Sequence, residues 1–195
     1  MFNKKSSNGV NIAINGFGRI GRNIFKALLE KGDSKIKIVA INDLTDTKTL
    51  AHLLRYDSVY GVYGKTVGYA KDNLIVGGMK YKVLAERDPA NLPWQELGVD
   101  IVLECTGFFR KTEGAILHIK AGAKKVVISA PGKSDDIKTF VLGVNENKIK
   151  KSDKIISMAS CTTNCLAPIT EIVRQNFGIE KAIMTSNLGL NPSSA

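Results

Sequence analysis

Apolar residues in this chain come in short blocks, and the spacing between them alternates between strand-like and helical. The run at residues 10–14 is followed by Asn15-Gly16-Phe17-Gly18-Arg19-Ile20-Gly21. Ile24, Ala27 and Leu28 then recur at helical spacing, and Gly32 is placed to end the helix in a left-handed turn. A second apolar run at 36–41 is rich in β-branched residues. Strand, tight turn, helix and strand in that order predict a βαβ unit. A helix is predicted over 47–54, where Leu50, Leu53 and Leu54 share a face. Three shorter runs, 66–70, 74–76 and 79–84, are separated by Asp72-Asn73 and Gly77-Gly78. Those dipeptides suit two-residue hairpin turns and predict a small antiparallel excursion. Strand patterns return at 101–105, 125–129, 139–144 and 155–158, with a helix at 112–121. The alternation predicts an α/β fold: a Rossmann-like, open, mostly parallel sheet with helices on both faces.

The sheet pattern stops near Ser160. We therefore expect a flexible tail at 1–9, a dinucleotide-binding domain at 10–159, and at 160–195 the first helix and strand of a second, incomplete domain. The tail has no apolar centre of the kind a secretory leader carries. Apolar runs of four or five residues are far shorter than the roughly 20 needed to cross a bilayer. The net charge is +10, from 28 basic and 18 acidic residues. Lysines are scattered, in twos at most, and no basic run is interleaved with aromatics, so neither a nucleic acid nor a membrane is expected as a partner. A basic surface also suits dinucleotides and phosphorylated small molecules, and a missing acidic half would balance it. Three cysteines without regular spacing argue against a disulfide framework and for a reducing, cytoplasmic setting.

Gly16-x-Gly18-x-x-Gly21 follows a strand and opens a helix. In such a motif the first glycine permits the tight turn, the second leaves room for a pyrophosphate, and the third lets helix and sheet approach. The helix N-terminus faces the phosphates. Asp43 lies at the end of the second strand, 22 residues after Gly21. A carboxylate there accepts hydrogen bonds from the adenosine ribose and repels a 2′-phosphate, which favours NAD over NADP. The alternative is that Asp43 caps the following helix.

The second chemical feature is Ser160-Cys161-Thr162-Thr163-Asn164-Cys165-Leu166-Ala167-Pro168. Cys161 directly follows an apolar strand and starts a helix, where backbone N–H groups and the helix dipole favour a thiolate nucleophile. Its own N–H could stabilise an oxyanion, and the Ser160 and Thr162 hydroxyls could hold an anionic substrate or phosphate. Cys161 and Cys165 share a helix face. No second pair or nearby histidine completes a metal site, so none is expected. Cys165, beside Leu166 and Ile169, reads as a buried core thiol. Pro168 leaves the Asn164 carbonyl without its usual helical partner, which allows a kink. The two histidines, His52 and His118, lie on or beside structural faces, so the nucleophile lacks an evident base.

Residues 15–21 (NGFGRIG), Asn42-Asp43-Leu44, Glu86-Arg87-Asp88-Pro89, residues 104–109 (ECTGFF), Ser129-Ala130-Pro131 and residues 160–168 (SCTTNCLAP) together resemble the glyceraldehyde-3-phosphate dehydrogenase family, in order from about residue 10 to 185. The resemblance implies NAD-dependent, phosphorylating oxidation of glyceraldehyde 3-phosphate in glycolysis, with Cys161 as nucleophile and a thioester cleaved by inorganic phosphate. It implies that Asn15, Gly16, Phe17, Gly18, Arg19, Ile20 and Gly21 surround the pyrophosphate. Asp43 would hold the adenosine ribose, Arg87 would lie at the adenine side, and Thr106, Gly107 and Ser129 would line the nicotinamide half. Ser160 and Thr162 would hold substrate or phosphate, and the full-length family member would be a homotetramer. Erythrose-4-phosphate dehydrogenase is the near relative, sharing cysteine and glycine motif but resolving the thioester with water. After Thr185 the pattern departs: Leu188 stands where the family carries its activating histidine, and most of the catalytic domain is absent. The chain is therefore expected to be an incomplete form with little or no dehydrogenase activity, or a non-catalytic NAD-binding piece.

Overall fold

The structure, a computed structural model, describes residues 9–186. The expectations for residues 1–8 and 187–195, Leu188 included, lie outside them. The first βαβ unit runs through β1 (Val10–Asn15), α1 (Arg19–Lys31) and β2 (Ile36–Asn42). Then come α2 (Thr47–Arg55), the short β3 (Tyr56–Asp57) and β4 (Gly61–Val62), and β5 (Val67–Ala70), β6 (Asn73–Val76) and β7 (Met79–Leu84). The second half holds β8 (Ile101–Glu104), α3 (Thr112–Lys120), β9 (Lys125–Ile128), β10 (Lys138–Thr139), β11 (Ile155–Ser157) and α4 (Cys161–Phe177). The main sheet has the order β10-β11-β9-β8-β1-β2-β7-β6-β5. It is parallel from β10 to β7, and β5, β6 and β7 pair antiparallel as successive hairpins at one edge.

Local chemistry sets the element ends. Gly32 closes α1 at φ +62°, its N–H bonding to the Leu28 carbonyl at 3.3 Å. Asp46 caps α2 by accepting the Thr49 N–H at 2.9 Å. The central strand β1 is buried on both faces, as a parallel strand between helical layers requires. On one face Ile14, Phe17 and Phe25 join Ile41, Leu50, Leu54 and Leu74; on the other, Ala13, Ala40 and Val102 pack with Trp94. Phe25 sits edge-to-face with Phe17 (5.4 Å) and Tyr81 (4.9 Å), contacts worth about 0.5–1.5 kcal/mol each beyond area burial.

Three expectations are corrected. The strand expected at 139–144 shrinks to Lys138–Thr139, because the Asn145 side chain accepts the Val141 N–H at 2.8 Å and turns the chain away from the ladder. Phe140 and Val141 are buried as anchors rather than as strand residues. Cys165, expected in a core, is exposed. Its helix, α4, runs through Pro168 and has no buried residue among those described, so nothing there covers the sulfur. The strand expected after the thiol helix is not formed: the described residues that follow α4, up to 186, pair in no strand. The β3–β4 pair was not anticipated, since two-residue strands carry no legible period.

Candidate cofactor and thiol site

The turn between β1 and α1 is set by three glycines doing different jobs. Gly16 has φ +89°, and a Cβ on it would lie 2.7 Å from the Thr106 nitrogen. A Cβ on Gly21 would lie 2.1 Å from the Gly16 carbonyl oxygen, so α1 can approach the turn only with glycine there. Gly18 is different: a Cβ on it would meet nothing within 4 Å. It is the N-cap of α1, makes no side-chain cap, and faces a cavity of about 670 Å³. That open space beside a helix N-terminus is what a pyrophosphate requires.

This cavity lies over the carboxyl ends of β1, β2 and β8, where the chain builds the sheet from β1 outwards on one side through β2 and, after crossing back from β7, on the other through β8. Ligands bind open α/β sheets at such a switch point. Asn15, Gly16, Gly18, Asp43, Arg87 and Thr106 all line it. Asp43 does not cap α2; Asp46 does that. Instead its Oδ2 accepts the Phe17 N–H at 2.6 Å and its Oδ1 the Thr45 N–H at 2.9 Å, which fixes the carboxylate at the cavity edge. Thr106 shares the cavity with Asp43 and Arg87.

Several expected residues contribute differently. The Phe17 ring is fully buried against Phe25, so only its backbone belongs to the turn. Arg19 and Ile20 begin α1 next to Gly18. Gly107, at φ +77°, turns the chain after Thr106, and Ser129 sits behind, its N–H bonded to the Glu104 carbonyl at 3.0 Å. Neither lines the cavity. The lining also includes Asn42, Leu44, Glu86, Cys105, Phe108 and Phe109. All lie within or beside motifs visible in the sequence, but nothing in their residue types announced the role. Burial pushes the Cys105 thiol up to about 12, with the neighbouring Glu104 carboxylate adding to the effect and a Ser129 hydrogen bond opposing it. Cys105 is thus a neutral thiol on the cavity wall.

Beneath the cavity lies a buried polar network that sequence reading missed. Glu104 is 1% exposed. Its Oε2 accepts from Asn15 Nδ2 at 2.6 Å and His118 Nε2 at 3.0 Å; its Oε1 accepts the Thr106 N–H at 2.8 Å and the Thr106 hydroxyl. Asn15 Oδ1 accepts from Asn42 Nδ2 at 2.7 Å. Trp94 Nε1–H donates to His118 Nδ1 at 3.0 Å. An indole nitrogen can only donate, so His118 accepts at Nδ1 and carries its proton on Nε2. The side chains of Asn15 and His118 are therefore engaged internally.

The thiol motif stands apart from this cavity. Ser160 caps α4, its Oγ accepting the Thr163 N–H at 3.0 Å, which leaves Cys161 exposed as the first helical residue. The Cys161 sulfur lies 4.0 Å from Thr162 Oγ1. Neither histidine is brought to it: His118 is buried under the cofactor cavity, and the exposed His52 packs on Tyr56 with ring centres 5.0 Å apart. Among the described residues, no group of three or more His, Cys, Asp or Glu is placed to hold a metal ion. No helix there is long and apolar enough to cross a membrane.

A glycine-rich turn opening a helix, an acid closing the second strand and a cavity at the switch point define a dinucleotide-binding domain of the Rossmann class. Residues 10–112 match the family described as glyceraldehyde 3-phosphate dehydrogenase, NAD binding domain, and residues 160–187 match its C-terminal domain. The chain belongs to the glyceraldehyde 3-phosphate dehydrogenase family. It is 54% identical over 175 residues to the glyceraldehyde-3-phosphate dehydrogenase of Thermotoga maritima, covering 90% of this chain and 52% of the relative. It is 56% identical over 178 residues to that of Geobacillus stearothermophilus, covering 91% and 52%, and 55% identical over 181 residues to that of Mycoplasma pneumoniae, covering 92% and 53%. The chain thus spans about half the length of the curated relatives it matches.

Proposed function

We propose that the protein from which this sequence comes carries out NAD-dependent, phosphorylating oxidation of glyceraldehyde 3-phosphate. Cys161 is its nucleophile. The observation that carries the reading is the exposed Cys161 at the start of α4, capped by Ser160, in a chain whose first half matches the NAD-binding domain of this family. Gly16, Gly18, Asp43 and Arg87 would hold the adenosine and pyrophosphate half of NAD, with the first turn of α1 (Arg19, Ile20, Gly21) at the phosphates. Thr106, Gly107 and Ser129 would line the nicotinamide half. The domain boundary falls at 159/160.

Cys161 adds to the aldehyde carbon to give a thiohemiacetal, whose hydroxyl proton must leave to a base. When bound, NAD supplies the acceptor for the hydride lost from that carbon. Cys161 is then esterified as a thioester; attack by inorganic phosphate breaks the C–S bond, giving 1,3-bisphosphoglycerate and returning the thiolate. Ser160 and Thr162 would hold the phosphate or substrate oxygens. The full-length protein would act as a homotetramer in the cytoplasm, a setting in which three free thiols stay reduced.

A second reading, that this chain alone is a non-catalytic NAD binder, is favoured by one observation. Neither histidine reaches Cys161, so no imidazole among the described residues is placed to take the thiohemiacetal proton. Alkylation at pH 7, followed by mass spectrometry, tests the main reading. We expect Cys161 to label faster than Cys105 and Cys165, and NAD to change its rate; equal, slow labelling would support the second reading. Protection by glyceraldehyde 3-phosphate but not erythrose 4-phosphate would separate the two substrates. A steady-state assay should detect little turnover from the 195 residues, and family-like turnover would overturn the second reading.

A further inference from the structure

Between β11 and α4 the chain passes through Ala159 at φ +62°, the one positive-φ residue among those described that is not glycine. Left-handed backbone is unfavourable for any residue with a Cβ, and it persists only where the surroundings over-determine it. Here it is held from both sides. Below, the fully buried Ser157 is a hub: its hydroxyl accepts the Ala159 N–H at 3.1 Å and the Gly132 N–H at 3.2 Å, and donates to the Ala130 carbonyl at 2.8 Å. Above, the exposed Asn164 donates from Nδ2 to the Met158 carbonyl at 2.7 Å and the Ser160 carbonyl at 2.9 Å. Those two carbonyls flank Ala159. The side-chain amide therefore clamps the turn closed from the helix it introduces.

We infer that Asn164 and Ser157 are positioning residues for Cys161, acting by holding the strained Ala159 elbow. The inference rests on the nucleophile reading above. The elbow aims Ser160 at its cap position and sets Cys161 at the first helical residue, where the helix terminus acts on the sulfur. Without the clamp, Ala159 relaxes towards ordinary backbone, Ser160 leaves the Thr163 N–H, and the first turn of α4 frays. Removing the strain at 159 should make the clamp unnecessary, which a merely structural helix cap at Asn164 does not predict.

The test is iodoacetamide labelling of the 195-residue chain at pH 7, read as the rate ratio of Cys161 to Cys165, which is exposed on the same helix and serves as the internal reference. Asn164→Ala should lower the ratio roughly two- to fivefold, the range of a lost helix-terminus effect. Adding Ala159→Gly to Asn164→Ala should return it to within about twofold of the parent, in the same range. Ser157→Ala removes the lower brace and should act in the same direction, also relieved by Ala159→Gly. A parent preference for Cys161 that Asn164→Ala leaves intact, or a double variant as slow as the single one, overturns the inference alone. Equal labelling of both cysteines in the parent overturns the nucleophile reading and this inference with it.

Discussion

Glu104→Gln changes one atom under the cofactor cavity and should be among the most damaging conservative substitutions in the chain. The carboxylate accepts from four donors and faces no acceptor. A glutamine offers one oxygen and one NH₂ group, so one pair of donors must face another donor. With the amide NH₂ towards Asn15 and His118, the His118 Nε2–H has nowhere to go. Its tautomer cannot switch, because Trp94 requires Nδ1 as acceptor. With the NH₂ towards Thr106, the hydroxyl can rotate but the Thr106 N–H is stranded. The better orientation thus loses one charge-assisted bond, leaves a buried N–H unpaired and weakens the remaining bonds by removing the charge. The cost is about 3 kcal/mol. For a chain of this size, that is a fall in Tm of roughly 6–12 °C. Trp94 is the only tryptophan and belongs to the same network, so thermal unfolding followed by its fluorescence reads the effect directly. Because Thr106 lines the cavity, NAD affinity should fall with it. A variant melting within about 2 °C of the parent would refute the donor assignment, since an unstressed network predicts less than about 1 kcal/mol.

The glycines of the motif should separate into two kinds. Gly21→Ala forces a Cβ onto the Gly16 carbonyl and should destabilise by at least about 1–3 kcal/mol, read as a lower midpoint in urea. Gly18→Ala meets no protein atom and should leave that midpoint nearly unchanged while weakening NAD in a binding titration. Cys105 supplies a pH dependence. Its folded value of about 12 lies above the ordinary 9.0, so below pH 9 both folded and unfolded forms keep the proton and nothing is lost. Above pH 9 the unfolded thiol ionises first, and stability falls until the folded thiol also ionises near 12. Cys105→Ser should flatten that alkaline decline in melts taken from pH 8 to 11. Finally, Leu166, Ile169, Ile172, Val173 and Phe177 leave α4 with an exposed apolar stripe. Size-exclusion chromatography should show concentration-dependent association, and a clean monomer at all concentrations would contradict it.

Much of the architecture was legible in the order of residues. β1, α1 and β2 lie where periodicity and the three glycines put them, and α2 and α3 end within a residue of expectation, because amphipathic spacing and local caps act over a few residues. The places of Gly18 and Asp43 at the mouth of the sheet were legible for the same reason, since a strand–turn–helix carries its own geometry. The start of α4 at Cys161 was legible too, but Cys165 was misread as buried, since burial depends on what packs against α4 and not on its neighbours in sequence.

Tertiary structure alone decided three things. It brought the Asp43 carboxylate onto the Phe17 N–H, 26 residues away in the turn after β1, instead of leaving it to local helix chemistry. It joined Asn15, Asn42, Glu104 and His118, separated by up to 103 residues, into one buried network with Trp94, because parallel pairing of β1 with β2 and β8 brings their ends together. It also put a left-handed alanine two residues before Cys161, held by Ser157 from the sheet and Asn164 from the helix. Short-range physics writes strands, helices and caps into the chain. Which polar groups meet away from water is set only when the sheet closes over them.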